Sequence, residues 1–238
     1  MVWLSAAACV LTVGGCAPGL KREPNEQLAS SRTQGSRVPD ASDTLRPNGL
    51  SELSVTSGVV QAAGTSGLAL RSPTIRAIVP SAGGSVAEAA FVYLGPSRDR
   101  APLASGEMRQ QFGLKLRALD TCNVVYVMWH IAPTSGIHVS VKSNPGETEH
   151  SQCGDRGYLN IAASWARGDL AAVRVGERRV IRAQIDQRQL RVTVDGEPAW
   201  VGGLPAEAFA FDGPVGIRSD NGDFDVELRS SVGSRSSR

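Results

Sequence analysis

Short segments in which apolar and polar residues alternate constrain the fold of this chain more than any other feature. The alternation is densest between Gly106 and Tyr158, and shorter alternating segments continue to residue 229. Gly, Pro, Asn and Asp separate the segments, and no apolar spacing of helical period extends over a useful length. Because side chains of a strand point alternately to opposite faces, the pattern predicts many short strands with one buried face each. We therefore expect an all-β fold, an antiparallel two-sheet β-sandwich.

The alternation and the turn residues together give the bounds of the expected strands. The segments predicted as strands are 53–62, 68–80, 88–94, 109–119, 123–131, 137–142, 169–175, 180–185, 190–194, 215–218 and 224–228. Residues 205–209 are predicted to form one helical turn. The sandwich domain is accordingly expected to span residues 52–230.

Polar segments of low complexity flank the predicted domain. Residues 16–51 are rich in Ser, Pro, Asn, Arg, Glu and Gln, and residues 231–238 are mostly Ser and Arg. Such composition cannot bury enough apolar surface to offset the entropy lost on ordering, which predicts a disordered N-terminal tether and a disordered tail. The formal net charge of +2 is too small to favour nucleic acid as a partner.

The three central strands are predicted to present an unusual outward face. Phe112, Val127 and Val139 belong to their apolar faces, and the opposite faces carry polar side chains without any carboxylate. These outward side chains are Arg109, Gln111, Lys115, Arg117, Tyr126, His130, His138, Ser140 and Lys142. A face with cations and no acids favours an anionic ligand, such as an anionic polysaccharide.

The N-terminus has the pattern of an export signal. Met1 to Val13 is apolar and far too short to span a membrane, and it is followed by Val-Gly-Gly-Cys at 13–16. This tetrapeptide resembles the lipobox of bacterial lipoprotein signal peptides. The resemblance implies that residues 1–15 are removed and that Cys16 is acylated. The protein is then expected to be exported and lipid-anchored in the bacterial cell envelope, on the periplasmic side or at the cell surface.

The lipobox resemblance leaves two cysteines in the mature chain. Cys9 would leave with the signal peptide and Cys16 would carry lipid, so that Cys122 and Cys153 remain. An even pair in an oxidising compartment predicts a disulfide, which would stabilise the fold by roughly 3 to 4 kcal/mol. A metal site is the weaker alternative, because neither cysteine has the spacing of a metal motif. No metal or other cofactor is therefore predicted.

The C-terminal segment of the domain resembles a known family. Residues 190–229, LRVTVDGEPAWVGGLPAEAFAFDGPVGIRSDNGDFDVELR, are similar to the closing strands of concanavalin A-like lectin/glucanase (laminin G-like) jelly rolls. The resemblance implies a jelly-roll sandwich whose concave sheet often forms a glycan groove. It implies no particular activity, because this fold hosts binding modules, hydrolases, lyases and structural domains. Asp220, Asn221, Asp223 and Asp225 in this segment are predicted as turn residues that point outward separately, rather than as a calcium site.

Two enzyme signatures of that fold were compared with the chain. The two-carboxylate strand E-x-D-x-x-E of retaining glucanases is absent. Glu107-Met108-Arg109, Met128-Trp129-His130 and Lys142-Ser143-Asn144 are similar to three strand motifs of alginate-lyase-type polysaccharide lyases. In that alternative, Arg109 or Gln111 would neutralise a uronate carboxylate, while His130 and Tyr126 would move protons. Met128 in place of Gln, and Pro145-Gly146 in place of the expected Tyr, depart from those motifs.

These observations lead to a ranked set of functional hypotheses. The first is a lipid-anchored extracytoplasmic protein that binds glycan or cell-envelope polysaccharide through a cationic concave face. A polysaccharide lyase is the second, and a non-catalytic structural or protein-interaction module of the envelope is the third. The predicted ligand-binding residues are Arg109, Gln111, Tyr126, His130, Lys142, Asn144 and Tyr158. The alternatives are a strand end and turn for Lys142 to Gly146, and a buried, hydrogen-bonded role for the tyrosines.

Overall fold

The structure, a computed structural model, describes residues 45–233. The predicted signal peptide, Cys16, the tether up to residue 44 and residues 234–238 lie outside the described residues. The described part is built from strands and three single helical turns. The strands are β1 (Arg46–Asn48), β2 (Ser54–Ser57), β3 (Val60–Ala63), β4 (Gly67–Leu70), β5 (Thr74–Ile78), β6 (Ala82–Pro96), β7 (Gln110–Leu116), β8 (Val124–Ala132), β9 (Gly136–Lys142), β10 (Tyr158–Ile161), β11 (Trp165–Ala166), β12 (Arg178–Asp186), β13 (Gln189–Val194), β14 (Glu197–Gly203), β15 (Gly216–Asp220) and β16 (Gly222–Val232).

The strands form two antiparallel sheets, which confirms the predicted all-β sandwich. A nine-stranded sheet has the order β11-β14-β13-β12-β6-β16-β4-β3, and β1 pairs with β16 as its ninth strand. A seven-stranded sheet has the order β10-β9-β8-β7-β15-β5-β2. The strand β15 lies between β5 and β7, although 99 residues or more separate it from either in sequence. Long-range pairing therefore brings the C-terminal strands to the middle of both sheets.

The core lies between the two sheets and is centred on aromatic rings. The Phe91 ring of β6 lies 4.6 Å from that of Phe112 and 5.7 Å from that of Trp129, measured between centroids. Phe224 of β16 lies 5.3 Å from Phe112, and all four side chains are almost fully buried. Such pairs add about 0.5 to 1.5 kcal/mol each to the free energy of burial. The alternating residues expected in the core, including Val127 and those of β12, β13 and β16, are buried there.

The sandwich begins earlier than the sequence analysis predicted. Residues 46–48, assigned to the tether, form β1 on the edge of β16. Asn48 is fully buried, and its side-chain oxygen accepts a hydrogen bond of 2.8 Å from the Ser230 hydroxyl. Because this strand is held by polar contacts, its sequence has no apolar alternation that would reveal it.

Other differences concern the segment between residues 158 and 203. Residues 169–175 were predicted as a strand and have no regular secondary structure, whereas β10, β11 and β14 were not predicted. Gly and Pro in β14 and the shortness of β11 explain why alternation does not reveal them. The helical turn expected near residue 205 is confirmed as Ala206–Phe209. No helix within residues 45–233 is long and apolar enough to cross a membrane.

Candidate functional site

A groove of about 1440 Å³ lies on the face of the seven-stranded sheet that points away from the core. Antiparallel pairing aligns the polar side chains of this face in rows that cross the strands. In one row Asp220, Gln111 and His130 are neighbours, in the next Arg76, Arg218, Gly113 and Met128, and in the third Gly216, Lys115, Tyr126 and Ser140. The alternation predicted for β7, β8 and β9 therefore places the expected polar residues other than Arg117 on one surface, which we call the groove floor. Arg117 instead donates to the carbonyl oxygens of Ala208 and Phe211.

The centre of the floor is a buried cluster around Asp220. Arg76 donates to its Oδ1 at 2.9 Å, Arg218 donates to its Oδ2 at 2.9 Å, and Gln111 donates to Oδ2 at 2.6 Å. Burial alone would raise the pKa of Asp220, but the two guanidinium groups outweigh it and the pKa is lowered. Arg218 also lies over the Tyr126 ring, 4.8 Å from its centroid. Asp220 is therefore an ionised carboxylate that holds two arginines in fixed positions.

Asp220 corrects the prediction of a face without carboxylates. That prediction is right for β7, β8 and β9, but β15 joins the same floor and contributes Asp220, which was assigned to an outward turn. The sequence signal was present: Gly216, Arg218 and Asp220 alternate with the buried Ile217 and Ser219. The pairing of β15 with β7, which is long-range, is what the sequence does not show.

One end of the groove carries histidines and a rim arginine. His130 and His138 are stacked with ring centroids 3.7 Å apart, and Arg109 Nη1 donates to His130 Nε2 at 3.2 Å. Burial, His138 and Arg109 lower the pKa of His130 to about 3, so its imidazole is neutral. Glu107 on the rim forms an ion pair with Arg109. The contact with Arg109 occupies the Nε2 lone pair of His130 and leaves its proton on Nδ1.

The opposite end of the groove carries aromatic rings. Tyr126 and Tyr158 are stacked with ring centroids 6.2 Å apart, and Tyr158 on β10 is 39% exposed. Tyr126 is buried, and burial raises the pKa of its hydroxyl. Tyr158 is therefore the accessible aromatic face at this end, as a residue that stacks on a sugar ring must be.

Lys142 lies at this end but its ammonium group faces the protein. Its Nζ donates to the carbonyl oxygens of Thr121 at 3.2 Å and Gly154 at 2.6 Å, and only 1% of the residue is exposed. These carbonyls flank Cys122 and Cys153, which form the predicted disulfide. Lys142 thus ties both sides of the disulfide to β9, and the structure gives it a structural role.

Asn144 lies outside the groove. Its side-chain nitrogen donates to the carbonyls of Cys122 and Arg156, each at 3.1 Å, and its backbone N–H donates to Asn123 Oδ1. These contacts hold the loop that follows β9. Because these hydrogen bonds hold the side chain in the loop, Asn144 has a structural role.

Asn221 connects the floor to the rim. It follows Asp220 directly and has a φ of 56°, a conformation that Asn tolerates better than most residues. Its side chain accepts from Ala101 N and donates to Ala101 O, both at 2.8 Å, and also donates to Arg109 O at 3.2 Å. The loop of residues 97–109, which carries Glu107 and Arg109, is therefore fastened to the turn between β15 and β16.

The charges that line the groove leave an excess of cations. The basic side chains are Arg76, Arg109, Lys115, Lys142 and Arg218, and the acidic ones are Glu107, Asp155 and Asp220. Two of the three acids, Glu107 and Asp220, are already paired with arginines. Among residues 45–233 no three His, Cys, Asp or Glu side chains are grouped so that they could hold a metal ion.

Comparison with known proteins bears on the fold. No protein-family model and no curated protein matches the chain. Among solved structures, the carbohydrate-binding module CBM66 from Bacillus subtilis superposes with a TM-score of 0.52 at 10% identity, covering 76% of this chain and 94% of that one. Domain 4 of AbnA, an extracellular arabinanase from Geobacillus stearothermophilus, matches with a TM-score of 0.40 at 8% identity, covering 76% and 84%. At 10% identity the likeness to CBM66 shows a shared β-sandwich fold and nothing finer.

Proposed function

We propose that this protein binds an anionic glycan of the cell envelope in the groove, as a lipid-anchored extracytoplasmic protein. The observation that carries the proposal is the groove itself, which joins an excess of basic side chains to an exposed tyrosine. Arginines attract and orient carboxylate or sulfate groups, while an aromatic face packs against the apolar face of a sugar ring. The fold shared with a carbohydrate-binding module supports a glycan as the ligand.

Arg109 and Tyr158 provide the test of this proposal. Both line the groove and both are partly exposed, so their replacement leaves the buried floor intact. The double variant Arg109→Gln, Tyr158→Ala is expected to lose about tenfold or more in affinity for polygalacturonate or dextran sulfate, measured by titration calorimetry. Retention of wild-type affinity for both polymers would contradict the proposed site.

Arg178 offers a matched control. It lies on β12 of the other sheet and pairs with Glu227, as Arg109 pairs with Glu107, and its side chain is exposed. Arg178→Gln is expected to bind both polymers as the wild type does.

Added salt should weaken wild-type binding, because exposed charges are screened at distances beyond about 10 Å at 0.1 M ionic strength. Equal binding of neutral dextran would instead indicate recognition without a role for charge.

Binding is favoured over the lyase alternative by the state of His130. A base for elimination needs a free lone pair, and His130 Nε2 accepts a hydrogen bond from Arg109. The lowered pKa of about 3 also makes this imidazole a weak base. Unsaturated products, detected by their ultraviolet absorbance after incubation with polygalacturonate, would reverse this preference.

If neither polymer binds and one envelope protein co-purifies reproducibly, the groove is instead a protein-interaction surface.

The lipid anchor is tested separately from the groove. Cys16→Ser removes the thiol that the lipobox resemblance predicts to be acylated. We expect the variant to leave the membrane fraction and to lose incorporation of labelled palmitate in a bacterial host. Unchanged fractionation and labelling would overturn the anchor and would leave the glycan proposal untouched.

A further inference from the structure

Lys115 is a buried cation without a partner on the groove floor. It lies on β7 between Gly216 of β15 and Tyr126 of β8, and it is 4% exposed. Among the described residues no hydrogen bond or ion pair reaches its ammonium group, and the side chain lines the groove. Its Nζ keeps a small opening to the groove, but a largely buried ammonium without protein acceptors is still costly, because most of the water around its donors is lost.

The neighbours of Lys115 increase this cost. Arg76 and Arg218 lie on the same floor, and both already share Asp220. Burial and these two guanidinium groups lower the pKa of Lys115 to about 8. Asp220 therefore serves two arginines, and Asp120, the other carboxylate near Lys115, raises the pKa of the lysine without forming an ion pair with it.

The residue type at this position is also unusual for the chain. Of 25 basic residues only Lys21, Lys115 and Lys142 are lysine, and the two within the described residues are both on this floor. Lys142 has two carbonyl acceptors, whereas Lys115 has none. Since a lysine that costs stability stands at the centre of a groove, we expect the missing acceptor to come from a ligand.

We propose that Lys115, together with the adjacent Arg218, forms the subsite for one anionic group, a carboxylate or a sulfate, of the bound glycan. This inference rests on the proposed function and assigns a single position at which the glycan must be charged. The anion would accept from the ammonium group and would balance the excess positive charge left by Asp220. Rim contacts at Arg109 and Tyr158 would then orient the chain on either side of this point.

The subsite has a defined pH response. The groups that face Lys115 are Arg76 of β5, Arg218 and Asp220 of β15, Tyr126 of β8 and, beyond β7, Asp120. Lys115 is the group among them with a pKa near 8. Above that pH the amine becomes neutral and the anion loses its partner, so affinity is expected to fall as pH rises through 8. A bound anion stabilises the ammonium form and therefore raises the pKa of Lys115.

The small number of lysines permits a direct experiment with the full chain. Lysine labelled with ¹³C at Cε gives at most three signals, and a Lys115→Gln variant assigns the one from the subsite. We expect this signal to titrate near pH 8 and its midpoint to move upward by about half a unit or more in inorganic sulfate. The Lys142 signal should not move, since its donors are occupied. A Lys115 midpoint that is unchanged by sulfate would overturn the subsite.

Binding measurements separate failure of the subsite from failure of the proposed function. Wild type, Lys115→Gln and Lys115→Arg are each titrated with polygalacturonate, dextran sulfate and neutral dextran, at one pH below 8 and one above it. We expect Lys115→Gln to lose about tenfold for the charged polymers below pH 8 only, and Lys115→Arg to keep its affinity at both pH values. If wild type binds no charged polymer, the proposed function fails. If it binds and Lys115→Gln matches it at both pH values, only the subsite fails.

The two charged polymers distinguish the source of the anion. Preference for polygalacturonate assigns the subsite to a carboxylate, and preference for dextran sulfate assigns it to a sulfate ester. Thermal melts of each variant establish that the fold is retained. Where Lys115→Arg does not fold, Lys115→Gln and the sulfate titration are sufficient for the decision.

Discussion

The disulfide end and the centre of the same sheet face treat a buried lysine in opposite ways. At the disulfide end, Lys142 is 1% exposed and donates to the carbonyls of Thr121 and Gly154. At the centre of the floor, Lys115 is 4% exposed and has no protein acceptor among residues 45–233. Residue type, sheet face and burial are alike, so they do not decide what the side chain does. The difference is whether the protein itself supplies the hydrogen-bond partners: where it does, the lysine stabilises structure, and where it does not, the lysine is open to the anion that we propose as its partner.

The largest effect is expected when the carboxylate of Asp220, the acceptor that the protein supplies at the centre of the floor, is removed. Asp220→Asn leaves Arg76 and Arg218 buried without a carboxylate. We expect the free energy of unfolding to fall by about 3 to 5 kcal/mol in urea denaturation. The control is Asp225→Asn, which removes an exposed ion pair with Arg71 and should cost less than about 1 kcal/mol. Equal losses of unfolding free energy in the two variants would mean that the buried Asp220 ion pairs stabilise the fold no more than an exposed one.

The disulfide end can be weakened through its covalent link. Replacing Cys122 and Cys153 together by Ala opens a loop with a sequence separation of 31 residues. We expect a loss of roughly 3 to 4 kcal/mol, measured by thermal unfolding under oxidising conditions, because the unfolded chain regains the entropy of the open loop. Adding a reductant should bring the wild type to the same stability as the variant. A variant as stable as the oxidised wild type would show that Lys142 and the loop contacts suffice.

The next comparison replaces each lysine by methionine, which keeps the length of the side chain. Lys142→Met leaves the carbonyls of Thr121 and Gly154 without their donor, so the free energy of unfolding should fall by about 1 to 3 kcal/mol.

Lys115→Met should have the opposite sign. It removes a buried ammonium without partners from the side of two arginines, so the free energy of unfolding should rise by roughly 1 to 2 kcal/mol at pH 7. Urea denaturation of both methionine variants in parallel measures the difference in sign. A loss of stability in both would show that Lys115 has a structural partner of its own, and the contrast between the two lysines would fail.

The smallest effect is the contribution of Lys115 to the pH dependence of stability. Its pKa is about 8 in the folded chain and about 10.4 when unfolded, so the unfolded state binds more protons between these values. The free energy of unfolding should therefore gain a positive slope with pH in that window. The difference between wild type and Lys115→Met, measured at several pH values, should shrink as pH rises. A constant difference would mean that the folded-state pKa of Lys115 is not lowered.

The fold was largely predictable because it follows from local alternation. The faces of β7, β8 and β9, and the buried residues of β12, β13 and β16, all follow from a period of two. The strands that were not predicted do not show this alternation. Polar contacts of Asn48 hold β1, and Gly202 and Gly203 interrupt the pattern of β14.

The site was only half predictable, because it depends on which strands become neighbours. Alternation placed Arg109, Gln111, Tyr126 and His130 on one face, and the structure brings them together there. The pairing of β15 with β5 and β7, which adds Arg76, Arg218 and Asp220, is long-range and has no local signal. Alternation also does not show whether a polar side chain on this face points to solvent or donates to a backbone carbonyl. Lys142 donates to the carbonyl of Gly154.

The adjacent residues Asp220 and Asn221 limit which parts of the groove can change in sequence between related proteins. One fixes the arginines of the floor and the other fastens the loop that carries Arg109, so a change in this dipeptide would disturb both surfaces at once. Tyr158, by contrast, stands on β10, an edge strand that contacts only β9 within its sheet. Single substitutions on β10 should therefore change the aromatic end of the groove without affecting the rest. Substitutions at the charged centre should be tolerated only in combination. Related chains with different ligands should differ first along β10.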